Sequence, residues 1–138
     1  MDKVAIILPV KNAEKYIRKT LDAIHNQSHK NWELMVVDDN STDTSTSIVT
    51  SVMSDRKFSL LESTAGNPAG TRNVALSYVL NREFDYVAYC DADDVWDVDH
   101  LMLALNKIKE TGADMVYSDT RTVIEDGSPV QGWLKWGR

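Results

Sequence analysis

Cysteine is almost absent from this sequence of 138 residues, which holds one, Cys90. A single cysteine cannot form an internal disulfide, and no cluster of cysteine and histidine has zinc-ligand spacing. No stretch approaches the roughly 18 apolar residues of a membrane-spanning helix. The apolar run at residues 4–8 is too short for a secretory signal and lacks a cleavage site after it. We therefore expect a cytoplasmic protein, at most at the inner face of the membrane, with any membrane contact made by parts outside this chain.

Positive charge is also in short supply. Lysine and arginine number 15 against 21 aspartates and glutamates, which gives a net charge of −6 and an isoelectric point near 4.9. This balance argues against a nucleic-acid partner, because phosphate backbones attract basic surfaces. Proline and glycine are few, with three and six residues, and there are no low-complexity tracts or repeats. A hydrophobic share of 43% is ordinary for a soluble protein, and the length predicts one domain over residues 1–138.

Apolar runs alternate with helical patterns along the whole chain. The predicted strands cover residues 4–10, 32–37, 57–61, 86–90 and 115–117. The predicted helices cover residues 13–27, about 42–53, 68–80 and about 99–111, and residues 121–138 are expected to form a hairpin or extended tail. This alternation predicts an α/β fold with a mainly parallel sheet and helices on both faces.

Helix ends are assigned from capping residues. Asn12 is expected to cap the first helix, and Ser41 or Thr42 the second. Pro68 suits the first turn of the third helix, because its missing N–H costs nothing there. Gly112 is the expected stop of the fourth helix, which Asp97 or Asp99 opens.

Polar clusters follow four of the predicted strands. They are Asn12, the pair Asp38-Asp39, the loop and helix start at residues 66–72, and the acidic run at residues 91–94. Ligands of parallel sheets bind beyond the carboxyl ends of the strands. We therefore expect these clusters to meet at one edge of the sheet.

The acidic run begins with Asp91-Ala92-Asp93, directly after an apolar strand. Alternate residues of an extended segment point the same way, so both carboxylates can face one cation. Carboxylate oxygens suit Mn²⁺ or Mg²⁺, which keep coordination positions open for phosphate oxygens. The alternative is a helix-entry loop, since aspartate is common in caps and turns.

Two further clusters offer groups for a nucleotide. A carboxylate of Asp38 or Asp39 would accept a hydrogen bond from a base N–H or a ribose hydroxyl. Arg72 would stack on a base or offset diphosphate charge. The alternatives are a capping turn for the aspartates and a solvated helix arginine for Arg72. The glycines at 66 and 70 form neither a dinucleotide fingerprint nor a Walker loop.

Five segments together resemble glycosyltransferase family 2, an inverting family with the GT-A fold. The resemblance covers nearly the whole chain, and the order and spacing of the segments make it specific. The segments are Ile7-Leu8-Pro9-Val10-Lys11-Asn12-Ala13, Asn26-Gln27-Ser28, Trp32-Glu33-Leu34-Met35-Val36-Val37-Asp38-Asp39-Asn40-Ser41-Thr42-Asp43, Asn67-Pro68-Ala69-Gly70-Thr71-Arg72-Asn73 and Asp91-Ala92-Asp93-Asp94-Val95-Trp96.

The resemblance implies a donor site for a nucleotide-diphosphate sugar, with UDP-sugars favoured. Asp93 would be the direct ligand of Mn²⁺ or Mg²⁺, and Asp91 would lie near the ribose or the metal. The other residues expected to bind the nucleotide-sugar are Pro9, Val10, Asn12, Asp38, Asp39, Arg72 and Ala92. The sugar would pass with inversion to a hydroxyl of a glycan, a lipid-linked or another acceptor.

Two departures from the family qualify this prediction. Lys11 stands where the family usually has an aromatic residue. In the family, the acceptor-binding elements and the general base come later in the chain. We therefore expect the amino-terminal part of a longer enzyme, with the base beyond Arg138 and Asp119 at most a sugar-pocket residue.

Three alternatives remain open at this point. A haloacid-dehalogenase-type phosphatase matches residues 91–95 as D-x-D-x-[TV], with Asp91 as nucleophile and Asp93 as general acid. It leaves the amino-terminal segments unexplained. A response-regulator receiver would place its aspartate pair after the first strand, whereas here the pair follows the second. A module that binds nucleotide-sugars without turnover is the third alternative.

Overall fold

A computed structural model describes residues 1–121 and 123. Four strands form one sheet in the order β3-β2-β1-β4, and every neighbouring pair is parallel. The elements in chain order are β1 (Val4–Val10), α1 (Ile17–His25), β2 (Trp32–Asp38), α2 (Ser45–Val52), β3 (Phe58–Glu62), α3 (Pro68–Val79), β4 (Tyr86–Tyr89) and α4 (His100–Thr111). The predicted α/β fold with a parallel sheet is confirmed.

The core is built on β1, one of the two inner strands of the sheet. Ala5 and Ile7 on one face of β1 pack in a buried cluster with Ala75 and Val79 of α3. Ile6 points to the opposite face, because side chains alternate along a strand, and it is fully buried as well. A strand covered on both faces has to be apolar throughout, which explains the uninterrupted run at the start of the sequence.

The first two helices begin later than the sequence predicts. α1 starts at Ile17, with Tyr16 rather than Asn12 at the N-cap position. The side chain of Asn12 accepts a hydrogen bond from the amide of Thr42 instead, so the predicted cap is wrong. The proposed caps of α2 are wrong in the same way, because α2 begins at Ser45 and has Thr44 as N-cap.

The third and fourth helices follow the predicted signals. Pro68 is the first residue of α3, and the side chain of Asn67 accepts a hydrogen bond from the amide of Gly70. Gly112 has a φ of 66°, which glycine adopts without a Cβ penalty, and its amide bonds to Ile108 after the end of α4.

The predicted fifth strand does not form among the described residues. Met115 and Tyr117 lie in irregular backbone and are 77% and 89% exposed. A run of three residues carries too little alternation to specify a strand, and pairing has to come from a neighbour. Apart from residues 121 and 123, the predicted tail lies outside the described residues.

Contacts divide the chain into two compact units, Met1–Leu103 and Ala104–Arg138. The first unit contains the whole sheet and the nine residues predicted to bind the nucleotide-sugar or the metal, whereas Asp119 lies in the second. The single domain predicted from the sequence stays a prediction. In the described part of the chain, every helix is too short or too polar to traverse a bilayer.

Candidate functional site

A cleft of about 400 Å³ opens at the carboxyl edge of the sheet. It is formed by the ends of β1, β2 and β4 together with the loop that leads into α3. Eight of the nine residues predicted for the site line it: Pro9, Val10, Asn12, Asp39, Arg72, Asp91, Ala92 and Asp93. The predicted meeting of the polar clusters at one sheet edge is therefore what the structure shows.

The loop after β1 is fixed by hydrogen bonds to the loop after β2. Asn12 has a φ of 47°, a left-handed conformation that asparagine tolerates better than most residues. Its amide donates to Ser41 Oγ at 3.0 Å, and its Oδ1 accepts from the Thr42 amide at 2.7 Å. Asn12 therefore shapes the rim of the cleft by joining two loops.

A second set of hydrogen bonds joins the same two loops, between residues 13–14 and residues 43–45. Ser45 Oγ is buried, accepts from the Ala13 amide at 2.9 Å and donates to Asp43 Oδ1 at 2.6 Å. Glu14 accepts from both the amide and the hydroxyl of Thr44. The hydrogen bonds from Ser45 lower the pKa of Asp43, because they stabilise its ionised form. The cleft wall is thus held by side chains rather than by a strand.

Asp39 is the most deeply buried carboxylate of the cleft, with 5% of its side chain exposed. Its Oδ1 accepts from the Gly66 amide at 3.2 Å, and its Oδ2 lies 3.8 Å from Lys11 Nζ. Its own amide donates to the carbonyl of Val10. A buried acceptor in a cleft selects ligands that carry an N–H or O–H at that point, since an unpaired buried oxygen is costly.

Asp38, the ninth predicted residue, does not line the cleft. It is the last residue of β2, and its Oδ2 accepts from the Ser41 amide at 3.2 Å. Because consecutive strand residues point to opposite faces, only one of the two aspartates can reach the cleft. The structure gives that position to Asp39.

The loop before α3 brings its backbone close to the cleft. Gly66 has a φ of 69°, and its amide reaches Asp39. A Cβ on Gly70 would lie 2.6 Å from the Cβ of Ala65, so the loop passes the first turn of α3 too closely for a side chain. The glycines therefore have a positional role in the site.

Arg72 spans the cleft from α3 to the acidic run. Its Nη2 lies 2.6 Å from Oδ1 of Asp91, and the two side chains are 33% and 49% exposed. The pair gives the cleft a cationic group next to the carboxylates, at a position where a phosphate oxygen would be attracted. It also engages one of the two carboxylates that the sequence assigns to a metal.

The acidic run is held by two backbone contacts. Thr20 of α1 donates to the carbonyl of Ala92 at 2.9 Å, and the amide of Asp94 donates to the carbonyl of Asp91 at 3.0 Å. Burial raises the pKa of Asp94, and the negative charges of Asp91 and Asp93 raise it further. Arg72 balances the charge of Asp91 only, so the run keeps a net negative charge at the cleft.

A divalent cation fits this run only if a ligand completes its coordination. Within residues 1–121 and 123, no three Asp, Glu, His or Cys side chains converge as a metal site. Asp93 is exposed and lines the cleft, and Asp91 keeps one oxygen that the Arg72 contact does not use. Mg²⁺ is commonly bound by one or two carboxylates plus substrate phosphates and water, which matches this donor set.

Cys90 has no place in this chemistry. Its side chain is buried at the end of β4, and burial together with the nearby carboxylates raises the pKa of its thiol. A thiol must ionise to act as a nucleophile. The chemistry at the cleft therefore depends on carboxylates and Arg72.

Sequence comparison decides the family. The profile described as Glycosyl transferase family 2 matches residues 5–134. The chain belongs to this family. Glycosyl transferase family 2 accounts for all five segments, whereas the phosphatase and receiver alternatives leave most of them unexplained, so both are set aside.

Individual members of glycosyl transferase family 2 are similar to this chain in sequence and in structure. The UDP-Glc:alpha-D-GlcNAc-diphosphoundecaprenol beta-1,3-glucosyltransferase WfgD of Escherichia coli is 33% identical over 84% of this chain and 45% of its own length. TarS 1-349 of S. aureus, solved with UDP-GlcNAc, has a TM-score of 0.73 at 30% identity, over 89% of this chain and 37% of the solved chain. The mannosyltransferase PcManGT from Pyrobaculum calidifontis, solved with GDP-Man and Mn²⁺, has a TM-score of 0.69 at 30% identity, over 77% of this chain and 32% of PcManGT. This family member thus spans less than two thirds of each of the three proteins.

Gln27 is a residue that the sequence reasoning left without a role, although it lies in one of the family segments. Its side chain is fully buried. Its Nε2 donates to the carbonyls of Ala23 and Asp97, and its Oε1 accepts from the Leu101 amide. Gln27 thereby fastens the segment that follows the acidic run to the end of α1. A glutamine in a polar stretch, between Asn26 and Ser28, gives no signal of such a role, because a polar stretch of this kind is typical of an exposed loop.

A second cleft, of about 490 Å³, lies at the opposite edge of the sheet. Three of its charged groups are paired with one another, because Lys3 lies 2.9 Å and Lys57 3.5 Å from Oε1 of Glu33. Arg82 stacks on the ring of Tyr78 at 3.8 Å. Ligands of parallel sheets bind at the other edge, so the smaller cleft is the candidate site of this family member.

Proposed function

We propose that the chain is the donor-binding part of a glycosyltransferase that uses a nucleotide-diphosphate sugar, with UDP-sugars favoured. The observation that carries the proposal is the single cleft with buried Asp39 on one wall and Asp91 and Asp93 on another. Asp39 suits a base, and Asp91 with Asp93 suits a diphosphate that is bound through a divalent cation. WfgD is named for UDP-Glc and TarS was solved with UDP-GlcNAc, which supports uridine.

The base would lie against the end of β1 with an N–H directed at Asp39. Pro9 and Val10 line the cleft beside this carboxylate. Oδ1 of Asp39 is engaged by the Gly66 amide, and so Oδ2 is the oxygen directed to the ligand. The imide N–H of uracil is a donor of the kind this oxygen requires.

The diphosphate would lie between Arg72 and the acidic run. Arg72 is attracted to phosphate oxygens, and Asp93 with Asp91 would hold Mn²⁺ or Mg²⁺. When bound, the cation would neutralise charge on the departing nucleoside diphosphate. The structure of PcManGT with GDP-Man and Mn²⁺ supports this arrangement.

The transfer would proceed by attack of an acceptor hydroxyl on the anomeric carbon, with inversion and with proton removal by a carboxylate. The acceptor would be a glycan, lipid-linked or other hydroxyl compound, and the diphosphoundecaprenol acceptor in the name of WfgD supports a lipid-linked one. Location in the cytoplasm stays a prediction.

Calorimetry with UDP, GDP and dTDP, each with and without Mn²⁺, tests the proposal. We expect at least one of them to bind, UDP most tightly, and only with Mn²⁺ present. If none binds to protein whose fold is confirmed by circular dichroism, the cleft is not a donor site.

Turnover separates the enzyme from the module that only binds. Release of UDP from UDP-GlcNAc in the presence of Mn²⁺ can be followed by a coupled assay. Release above the rate without protein, abolished by Asp93→Ala, supports the transferase. Binding without release shows that this chain by itself binds the donor and does not turn it over.

A further inference from the structure

Lys11 occupies an unusual position in the donor cleft. It follows β1 directly, lines the cleft and places its Nζ 3.8 Å from Oδ2 of Asp39. Asp39 has 5% of its side chain exposed, whereas Lys11 has 57%. One oxygen of the carboxylate is fixed by the Gly66 amide, and the other faces the lysine. The cleft wall therefore presents a charged acceptor and a charged donor side by side.

A donor next to an acceptor can read two neighbouring positions on one edge of a base. Uracil has its ring N–H between two carbonyl groups, so it offers a donor next to an acceptor. Cytosine has an unprotonated ring nitrogen at the same position and an amino group beside it. In a fixed pose, cytosine would place an acceptor against Asp39 and a donor against Lys11, and both contacts would be repulsive.

We propose that Lys11 is a specificity-determining residue, whose ammonium donates to the uracil 4-carbonyl, the group that cytosine replaces with an amino group, beside the ring N–H that donates to Asp39. The pair selects uracil over cytosine. This inference rests on the proposed function, because it requires that the base lies against Asp39. It adds the role of Lys11, which stands where the family usually has an aromatic residue.

Lysine and an aromatic residue at this position would contact a base in different ways. An aromatic ring contacts the face of any base, and stacking of that kind is tolerant of base identity. A lysine is a compact charge that donates hydrogen bonds and accepts none, so it distinguishes a carbonyl from an amino group. Its partial exposure leaves the ammonium free to move from Asp39 towards a base.

Calorimetry on the whole chain tests the inference with three ligands, each with Mn²⁺: UDP, CDP and inorganic pyrophosphate, which has no base. Lys11→Met removes the ammonium and keeps a side chain of similar length, and Lys11→Arg keeps the charge. Lys19→Met is the matched control, because it removes the same charge from an exposed residue of α1 that does not line the cleft.

We expect the unaltered chain to bind UDP more tightly than CDP. Loss of one charged hydrogen bond should make Lys11→Met bind UDP about tenfold more weakly. CDP should bind this variant more tightly, because the repulsion between the ammonium and the amino group of cytosine is removed. Pyrophosphate should bind it as before, and Lys11→Arg and Lys19→Met should keep the original preference.

Three results would overturn the inference. The first is an unchanged ratio of UDP to CDP affinity in Lys11→Met. The second is an equal loss for pyrophosphate, which would show that Lys11 acts on phosphate charge. The third is tighter binding of CDP than UDP by the unaltered chain. The donor site survives all three and fails only if no nucleoside diphosphate binds, whereas the third result would also remove the preference for UDP-sugars.

Discussion

Replacing Gln27 with methionine should lower the free energy of unfolding, because Gln27 holds the segment that follows the acidic run against the end of α1. Methionine is close to glutamine in length and shape, so the change removes hydrogen bonds without leaving a large cavity. The lost bonds are those of Nε2 to Ala23 and Asp97, at 3.1 and 2.7 Å, and that of Oε1 to the Leu101 amide, at 3.0 Å.

The size of the effect follows from these partners. The Asp97 carbonyl keeps a hydrogen bond from the His100 amide, so it is not left unpaired. The Leu101 amide is in the first turn of α4, where no intrahelical partner replaces Gln27. Net losses of about 0.5–1.5 kcal/mol for each bond, with the extra cost of an unpaired buried amide, sum to about 3 kcal/mol. That is a large share of the roughly 5–15 kcal/mol that stabilises a domain.

Urea unfolding followed by circular dichroism measures this loss. With a slope of about 2 kcal/mol per M, Gln27→Met should lower the midpoint by about 1.5 M. Asn26→Met is the matched control, since it removes an exposed amide one residue away and should change stability by less than about 0.5 kcal/mol. A midpoint for Gln27→Met equal to that of the control would refute the reasoning, because it would show that the three bonds contribute nothing.

Three smaller predictions concern the loops and the sheet. Ser45→Ala should cost about 1–3 kcal/mol in urea unfolding, because the buried Ala13 amide loses its acceptor; an unchanged midpoint would contradict this. Desolvation raises the pKa of Glu33, but hydrogen bonds and charge from two lysines outweigh it and hold the pKa below its ordinary 4.5. Its contribution to stability is therefore present above pH 4.5 and lost as the pH falls through the lower folded-state pKa. Glu33→Gln should flatten that acid decline, and a decline of unchanged steepness would count against the ion pairs. Gly70→Ala should destabilise by about 1 kcal/mol despite the better helix propensity of alanine, because its Cβ meets Ala65. A higher urea midpoint for Gly70→Ala than for the unaltered chain would show that the loop shifts to accommodate the Cβ at no cost in free energy.

Much of the fold could be predicted because its signals are local. β1 was predicted with its observed bounds, since seven apolar residues in a row suit a strand covered on both faces. Pro68 and Gly112 marked helix ends through backbone preferences that tertiary contacts did not override. The site could be located for a related reason, because topology alone brings strand ends to one edge.

The remaining features depend on contacts between distant parts of the chain. Asn12 looked like a helix cap, but Thr42, thirty residues away, competes for its side chain. Asp38 and Asp39 are adjacent residues of the same type, so the sequence does not distinguish them. Only the alternation of side chains along β2 decides which one faces the cleft. Gln27 has a partner 74 residues away, a separation at which no sequence pattern operates.

The most direct test of the donor site is the binding of Mn²⁺ itself. Electron paramagnetic resonance reports free Mn²⁺, so a titration with and without UDP gives the bound fraction. We expect the chain to bind Mn²⁺ weakly alone and at least tenfold more tightly with UDP, since the carboxylates supply only part of the coordination shell. Asp93→Asn should abolish the UDP-dependent binding, whereas Asp97→Asn, which changes an exposed carboxylate that does not line the cleft, should leave it intact. Unchanged Mn²⁺ binding in Asp93→Asn would contradict the central claim.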